Sequence, residues 1–134
     1  MTDLGILLPD ADVWLRAFSR HDPDPLVVHR FAREAKARRI VLVGWVRQTL
    51  LARSRDDRQF SRLAWILSAW PDLNVCAADH EAAATTTRRL RGMGVPVAPW
   101  QALLWAAANR LGGAVWSRDA SWIALVRHGC PLAH

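Results

Sequence analysis

The sequence predicts an α/β fold in three layers, with a central parallel sheet of four to five short strands flanked by helices. Two observations support this class: short, strongly apolar runs alternate along the chain with amphipathic helical segments, and Pro, Gly or Asp bounds most of these runs. With 134 residues the chain is long enough to bury one hydrophobic core. A single domain over residues 1–134 is therefore expected.

The predicted strands are apolar runs of three or four residues. The first ends at Pro9, where a strand passes into a turn, and the second is rich in β-branched residues. In chain order the predicted strands cover 5–8, 40–43, 73–76, 114–116 and a short edge strand at 130–132.

The predicted helices fill the intervals between these strands. The clearest begins at Pro99, carries apolar residues on one stripe and ends before Gly112. Asp79 is expected to cap a helix that ends at Gly92 in a left-handed conformation. The predicted helices are 12–19, a segment from Pro25 up to the second strand, 44–54, 57–70, 79–92, 99–111 and 119–127.

The charge of the chain is strongly positive and unevenly distributed. Eighteen basic residues against twelve acidic ones give +6 and a pI near 11.1, and Lys36 is the single lysine. Residues 30–62 hold ten of the cations and three carboxylates, while the rest is close to neutral. This balance excludes an acidic, cation-buffering protein and favours a polyanionic partner such as nucleic acid. A solvated helical face is the alternative interpretation of the basic segment.

Cysteine usage and hydropathy indicate a cytoplasmic protein without a membrane anchor. Cys76 and Cys130 are isolated, which excludes a disulfide framework and a structural zinc site. Residues 1–4 lack the basic region and long apolar stretch of an export signal. The apolar run 95–108 is interrupted by two prolines and a glutamine and is shorter than the ~20 residues of a membrane span.

Polar side chains follow the first and fourth predicted strands, at the end of a parallel sheet where ligands bind. Asp10 and Asp12 follow the first strand, and Ser117, Arg118 and Asp119 follow the fourth. From the residues alone, Asp10 is a metal ligand or a turn-forming residue, and the other two carboxylates are ligands or helix N-caps. The absence of a Gly-rich phosphate loop, a GxSxG elbow and a Cys-His pair argues against dinucleotide binding and acyl transfer.

Four segments carry a resemblance to a known family. They are LLPDADVWL at 7–15, LRGMGVPV at 90–97, ALLWAAA at 102–108 and VWSRD at 115–119. In this order and spacing they resemble the PIN-domain family and, within it, the VapC-type toxin endoribonucleases of bacterial toxin–antitoxin pairs. The resemblance covers nearly the whole chain.

The resemblance implies a carboxylate cluster that binds Mg²⁺ or Mn²⁺ and hydrolyses RNA phosphodiesters, in a homodimer that pairs with an antitoxin. Asp10 and Asp119 occupy the first and last acidic positions, whereas Gln48 and Gln101 stand at the two middle ones. Asp12 stands where the family usually has a neutral residue and is a third candidate metal ligand. Because Gln offers one neutral oxygen in place of a carboxylate, we expect weak metal binding and slow or absent catalysis.

Four residues are predicted to contact RNA, and two tryptophans are candidates for stacking on its bases. The predicted contacts are Arg47, Arg55, Arg118 and Ser117, with Arg55 expected two turns from Gln48 on one helical face. A solvated loop hydroxyl is the alternative for Ser117. Trp14 and Trp116 flank the predicted site, either as stacking platforms or as core residues, whereas Trp65, Trp100 and Trp122 are expected in the core.

Three functions remain open from the sequence. The first is a metal-dependent endoribonuclease of toxin type with a reduced acidic site. The second is a catalytically inactive PIN-like module that binds RNA or a protein partner. The third, an α/β domain for a small anionic ligand, would not show the steep salt dependence of RNA binding.

Overall fold

The structure is a computed structural model that describes residues 5–134. Its two regular strands, β1 (Leu7–Pro9) and β2 (Ala114–Trp116), pair in parallel, with Leu8 opposite Val115. The helices are α1 (Ala11–Phe18), α2 (Pro25–Lys36), α3 (Gly44–Ala52), α4 (Asp57–Leu67), α5 (Ala77–Arg91), α6 (Pro99–Leu111) and α7 (Ala120–Ile123), followed by a 3₁₀ turn at Val126–His128.

The predicted α/β class is confirmed, but four to five strands are not shown: within residues 5–134 two segments form regular strands. The segment 40–43 forms two isolated parallel bridges and 130–132 forms one, while 73–76 forms none and its neighbour Asp72 makes the bridge to Leu42. These bridges are Leu7 to Ile40, Leu42 to Asp72, and Val115 to Leu132. Each segment leaves its neighbour after one or two backbone hydrogen bonds, such as Val41 N to Leu7 O at 2.9 Å, so no ladder forms.

The start of β2 passes close to the strand beside it. A Cβ at Gly113 would collide with the carbonyl of Ile6, and Ala114 N donates to the same carbonyl at 2.9 Å. Glycine is therefore required here by close backbone approach rather than by a left-handed conformation.

The core between the strands and helices is strongly aromatic. Trp14 is 1% exposed, and its ring centroid lies 4.8 Å from that of Phe31 and 5.0 Å from that of Trp70, both edge-on. Trp116 is also buried and stacks on Phe31. Since both rings are inaccessible, the alternative that Trp14 and Trp116 stack on bases does not hold.

Of the three tryptophans predicted in the core, two are buried or half-buried and one is exposed. Trp122 is fully buried, as predicted, and Trp100 is half-buried. Trp65 was expected in the core, but it is 77% exposed, and Phe60 on the same helix is also exposed. The apolar spacing of this segment predicted its helical state correctly, but only part of the stripe packs inward, through Leu67 and the half-buried Leu63.

The helix limits follow local capping. The bounds of α6 are those predicted, whereas α5 begins at Ala77, two residues before the predicted start at Asp79. Asp79 instead accepts a hydrogen bond from Cys76 N at 3.1 Å, from inside the first turn. Gly92 is right-handed (φ −62°), contrary to prediction, and the left-handed residue is Gly94 (φ 73°). The predicted last helix 119–127 is shortened to α7 and the 3₁₀ turn.

An ion pair between a buried carboxylate and an exposed arginine joins α5 to α6. Asp79 is 2% exposed, and Arg110 Nε donates to its Oδ1 at 2.8 Å. Arg110 also donates to Asn74 O at 2.8 Å. The hydrogen bond from Arg110 holds the pKa of the Asp79 carboxyl below its ordinary value. The pair therefore stabilises the fold only while Asp79 is ionised.

Arg110→Ala is expected to lower the Tm by about 5 °C near neutral pH, because it leaves a buried carboxylate without its partner. Since the folded-state pKa of Asp79 is lowered, this contribution is present above the unfolded value of 3.8 and is lost as the pH falls through the folded value. Thermal unfolding of both proteins between neutral and acidic pH measures the difference. Arg88→Ala, at an exposed position of α5, is the matched control. An equal loss at every pH would contradict the electrostatic explanation.

No helix within residues 5–134 is long and apolar enough to cross a membrane. The prediction about an export signal concerns residues 1–4, which lie outside the described part of the chain.

Candidate functional site

A cleft of about 670 Å³ opens at the carboxyl ends of β1 and β2. Asp10 directly follows β1, and Asp119 follows β2 by three residues. Because the strands are parallel, their carboxyl ends meet at one edge and bring these carboxylates to the same cleft. The lining residues are Asp10, Ala11, Asp12, Leu15, Arg16, Ser19, Asp22, Trp45, Thr49, Arg53, Trp100 and Asp119.

Asp10 lies buried at the floor of the cleft with both carboxylate oxygens hydrogen-bonded. Ala11 N donates to Oδ1 at 2.7 Å, and Trp122 Nε1 donates to Oδ2 at 2.8 Å. Burial raises the pKa of Asp10, and the charges of Asp12 and Asp119 raise it further, while the two hydrogen bonds oppose the shift. The site thus holds a carboxylate whose negative charge is disfavoured by its surroundings.

Asp12 ties α1 to the loop after β2. Its Oδ1 accepts from Ser117 Oγ at 2.9 Å, and its Oδ2 accepts from Arg118 N at 2.9 Å. Ser117 is 5% exposed, and its Oγ also accepts from Asp119 N at 3.0 Å. In this arrangement Asp12 and Ser117 fix the loop that carries Asp119.

Asp119 is exposed and caps α7. Its Oδ1 accepts from Ser121 N at 2.8 Å, and hydrogen bonds from Ser121 lower its pKa. The two interpretations left open by the sequence are therefore compatible, because the capping carboxylate also lines the cleft. The lowered pKa favours the ionised form of Asp119.

Gln101 is buried between α6 and α7. Its Oε1 accepts from Ala98 N at 3.2 Å, and its Nε2 donates to Ser121 Oγ at 3.0 Å. The side chain joins the start of α6 to α7, which Asp119 caps. Its amide group thus serves as a structural link next to the cleft.

Gln48 is exposed and is not among the residues that line the cleft. The face of α3 that reaches the cleft carries Trp45, Thr49 and Arg53, one helical turn apart from each other. Successive helical residues point about 100° apart. Thr49, the neighbour of Gln48, is therefore the residue of this turn that lines the cleft.

The predicted RNA contacts do not converge on the cleft. Arg47 Nε donates to Asp72 at 2.8 Å, and its terminal nitrogens donate to backbone carbonyls at the end of α4 and beyond, which ties α3 to that region. The guanidinium of Arg118 pairs with Asp24. Because α3 ends at Ala52, Arg55 does not share a helical face with Gln48, and it lines a neighbouring groove instead.

Most residues that line the cleft were not predicted as site residues. Those with charged or aromatic side chains are Trp45, Trp100, Arg16, Arg53 and Asp22. The buried residues Val46 and Leu50 define the inward face of α3. Helical periodicity from that face would have shown that Trp45, Thr49 and Arg53 share another face.

The donor set does not fit the four-carboxylate metal site that the resemblance implies. One predicted middle residue is an amide engaged in structural hydrogen bonds, and the other lies outside the cleft. Asp12 is directed to Ser117 and the backbone of Arg118. Within the described part of the chain, no group of three or more His, Cys, Asp or Glu side chains is arranged to hold a metal ion.

Comparisons with known proteins identify the fold. No protein-family model and no curated protein matches the sequence. Among solved structures, FitAcB from Neisseria gonorrhoeae is similar over 96% of this chain and 97% of that one, with a TM-score of 0.76 and 17% identity. VapBC2 from Rickettsia felis, bound to a DNA fragment from their promoter, is similar over 96% of this chain and 97% of that one. Its TM-score is 0.72 and its sequence identity 14%.

A toxin–antitoxin complex from Klebsiella pneumoniae is also similar, with a TM-score of 0.68 and 15% identity over 96% of each chain. At these identities the likeness shows the fold alone. This chain therefore has the α/β fold of chains from such complexes, in agreement with the PIN-like fold that the sequence predicted.

Proposed function

We propose that this chain is a PIN-like RNA-binding protein of the toxin–antitoxin kind in which the nuclease site has lost efficient hydrolysis. The observation that carries the proposal is the state of Gln101. Where the resemblance calls for a carboxylate, a buried amide joins α6 to α7 through Ala98 and Ser121. The cleft is present, while two of the four acidic positions that the resemblance implies are occupied by glutamines.

The rim of the cleft supports RNA binding. Trp45 is 46% exposed and Trp100 is half-buried, so both present aromatic surface to which unpaired bases can stack. Arg53 is exposed on the same face of α3 as Trp45 and can contact a phosphate. Four carboxylates against two arginines make the cleft itself acidic. Phosphates are therefore expected at the rim and bases over the tryptophans.

A second candidate function is slow Mg²⁺- or Mn²⁺-dependent hydrolysis of RNA. It is favoured by the persistence of Asp10 and Asp119 and by the proximity of Asp12, whose charge helps to raise the pKa of Asp10. Hard divalent ions prefer such oxygen ligands. Under this alternative Asp10 and Asp119 would hold the ion, and Asp12 would join them after releasing Ser117 Oγ and Arg118 N.

The partners and location complete the proposal. The similar structures include a toxin–antitoxin complex, which supports an antitoxin as the protein partner of this chain. A homodimer and a cytoplasmic location belong to the same proposal and rest on the family resemblance and on cysteine usage.

RNA binding is tested by fluorescence anisotropy with a labelled single-stranded RNA of about 12 nucleotides, in EDTA and in Mn²⁺. Trp45→Ala with Arg53→Gln is expected to weaken binding about tenfold, the size of one lost stacking contact. Trp65→Ala with Arg88→Gln, both at exposed positions outside the cleft, is the matched control and is expected to change the Kd less than about twofold.

Cleavage of the same RNA is followed on gels. Unaffected binding in the cleft variant, or equal loss in the control, would reject the proposed surface. Mn²⁺-dependent cleavage by the wild-type chain that disappears in Asp10→Asn would replace the proposal by the second candidate function.

A further inference from the structure

We infer that the groove between α1, α3 and α4 is a second contact surface for the RNA strand and binds its phosphates outside the cleft. The inference rests on the proposed function and extends it. The groove has a volume of about 350 Å³. Its apolar floor comes from three helices: Leu15 and Phe18 from α1, Leu50 from α3 and Leu63 from α4.

Four arginines surround this floor. Arg20 follows α1, Arg55 precedes α4, and Arg58 and Arg62 lie one turn apart on α4. Among the described residues that line the groove, Asp56 is the one carboxylate, and its Oδ1 already accepts from Gln59 N at 2.8 Å to cap α4. The groove therefore carries a net positive charge, in contrast to the acidic cleft.

The four guanidinium groups have no anionic partner in residues 5–134. The arginines that form ion pairs there lie elsewhere: Arg16, Arg33, Arg39, Arg47, Arg110 and Arg118. Like charges one turn apart, as at Arg58 and Arg62, destabilise a helix. An external polyanion would relieve this repulsion, and its phosphates match the fork geometry of arginine.

The groove and the cleft are contiguous. Leu15 and Ser19, on and just after α1, line both. A single strand can therefore pass from Trp45 and Arg53 at the cleft into the groove without leaving the surface. The faces of bases can pack on the apolar floor, and the guanidinium groups can donate hydrogen bonds to phosphate oxygens. This continuity with an aromatic cleft favours RNA over an acidic peptide as the occupant.

The test compares two double variants that remove the same charge. Arg58→Gln with Arg62→Gln alters the groove, and Arg88→Gln with Arg91→Gln alters exposed positions of α5. We expect the groove variant to bind an RNA of about 12 nucleotides roughly tenfold more weakly. The slope of log K against log salt concentration should also be smaller by about 1.4, because two phosphate contacts are lost. An RNA of about four nucleotides, which fills the cleft alone, is expected to bind unchanged, as is either RNA to the α5 variant.

Equal losses in both variants, or an unchanged Kd in the groove variant, would overturn the inference. Binding of a labelled acidic amphipathic peptide that is lost in the groove variant, with RNA binding intact, would assign the groove to a protein partner instead. The short RNA reports separately on the cleft. If Trp45→Ala with Arg53→Gln leaves its binding unchanged while the groove variant weakens the longer RNA, the cleft proposal fails and the groove inference stands.

Discussion

Thr49→Glu combined with Gln101→Asp is expected to raise Mn²⁺-dependent cleavage of single-stranded RNA about 100-fold over the wild-type chain. Thr49 lines the cleft, and Gln101 is buried where α6 begins. The two substitutions would place a carboxylate on α3 and another at the start of α6, near Asp10 and Asp119. A negatively charged oxygen cluster is what hard divalent ions require. Single-turnover cleavage rates over a range of Mn²⁺ concentrations measure the gain.

The matched control is Gln48→Glu combined with Gln101→Asp. It adds the same charge one residue earlier on α3, at an exposed position outside the cleft. We expect it to remain within about tenfold of the wild-type rate, since one restored carboxylate supplies only part of the site. Restoration by Gln48→Glu but not by Thr49→Glu would show that Gln48 is the residue of α3 that belongs to the site. Failure of both would exclude a latent metal site.

The choice between Gln48 and Thr49 as the residue of α3 at the site shows which features the sequence predicts and which it does not. The motif around 7–15 and the segment 115–119 placed Asp10 and Asp119 in one cleft, because the carboxyl ends of parallel strands coincide. The choice between Gln48 and Thr49 depends on the rotation of α3 about its axis, and an error of one residue turns a side chain by about 100°. That rotation is fixed by Val46 and Leu50 in the core.

The strands were overestimated for a related reason. The run 40–43 is apolar and β-branched, which favours an extended backbone. Regular pairing also needs a neighbour of equal length, and here Leu42 bridges Asp72 at a single point before α3 begins at Gly44. The local residue pattern thus predicted which segments are extended. Whether they pair into a regular ladder depends on contacts between distant parts of the chain.

The distribution of charge has a structural meaning that the total of +6 does not convey. Several cations of residues 30–62 serve the fold, since Arg47 ties α3 to the end of α4 and Arg39 pairs with the buried Glu34. Of the cations of this segment that form no ion pair within residues 5–134, Arg55, Arg58 and Arg62 line the groove and Arg53 lines the cleft. Part of the positive charge available to a polyanion therefore lies in the groove next to the cleft.

Trp122→Ala is expected to have the largest effect on stability, a loss of about 4 kcal/mol in the free energy of unfolding. Trp122 is fully buried, packs edge-on against Trp100 with ring centroids 5.9 Å apart, and donates to Asp10 Oδ2 at 2.8 Å. Its removal leaves a cavity and takes one donor from a buried carboxylate. Urea denaturation at neutral pH measures the loss.

Trp122→Phe separates the hydrogen bond from most of the packing and is expected to cost about 2 kcal/mol at neutral pH. The indole N–H favours the ionised form of Asp10, so its loss raises the pKa of that carboxyl further. Because the folded-state pKa of Asp10 already lies above the unfolded value of 3.8, stability from this group is present below 3.8 and is lost as the pH rises through the folded value. The deficit of Trp122→Phe should therefore be greatest at neutral pH and shrink in acid, where Asp10 is protonated. A deficit independent of pH would show that Trp122 acts through packing alone, and that its contact with Asp10 does not set the charge at the floor of the cleft.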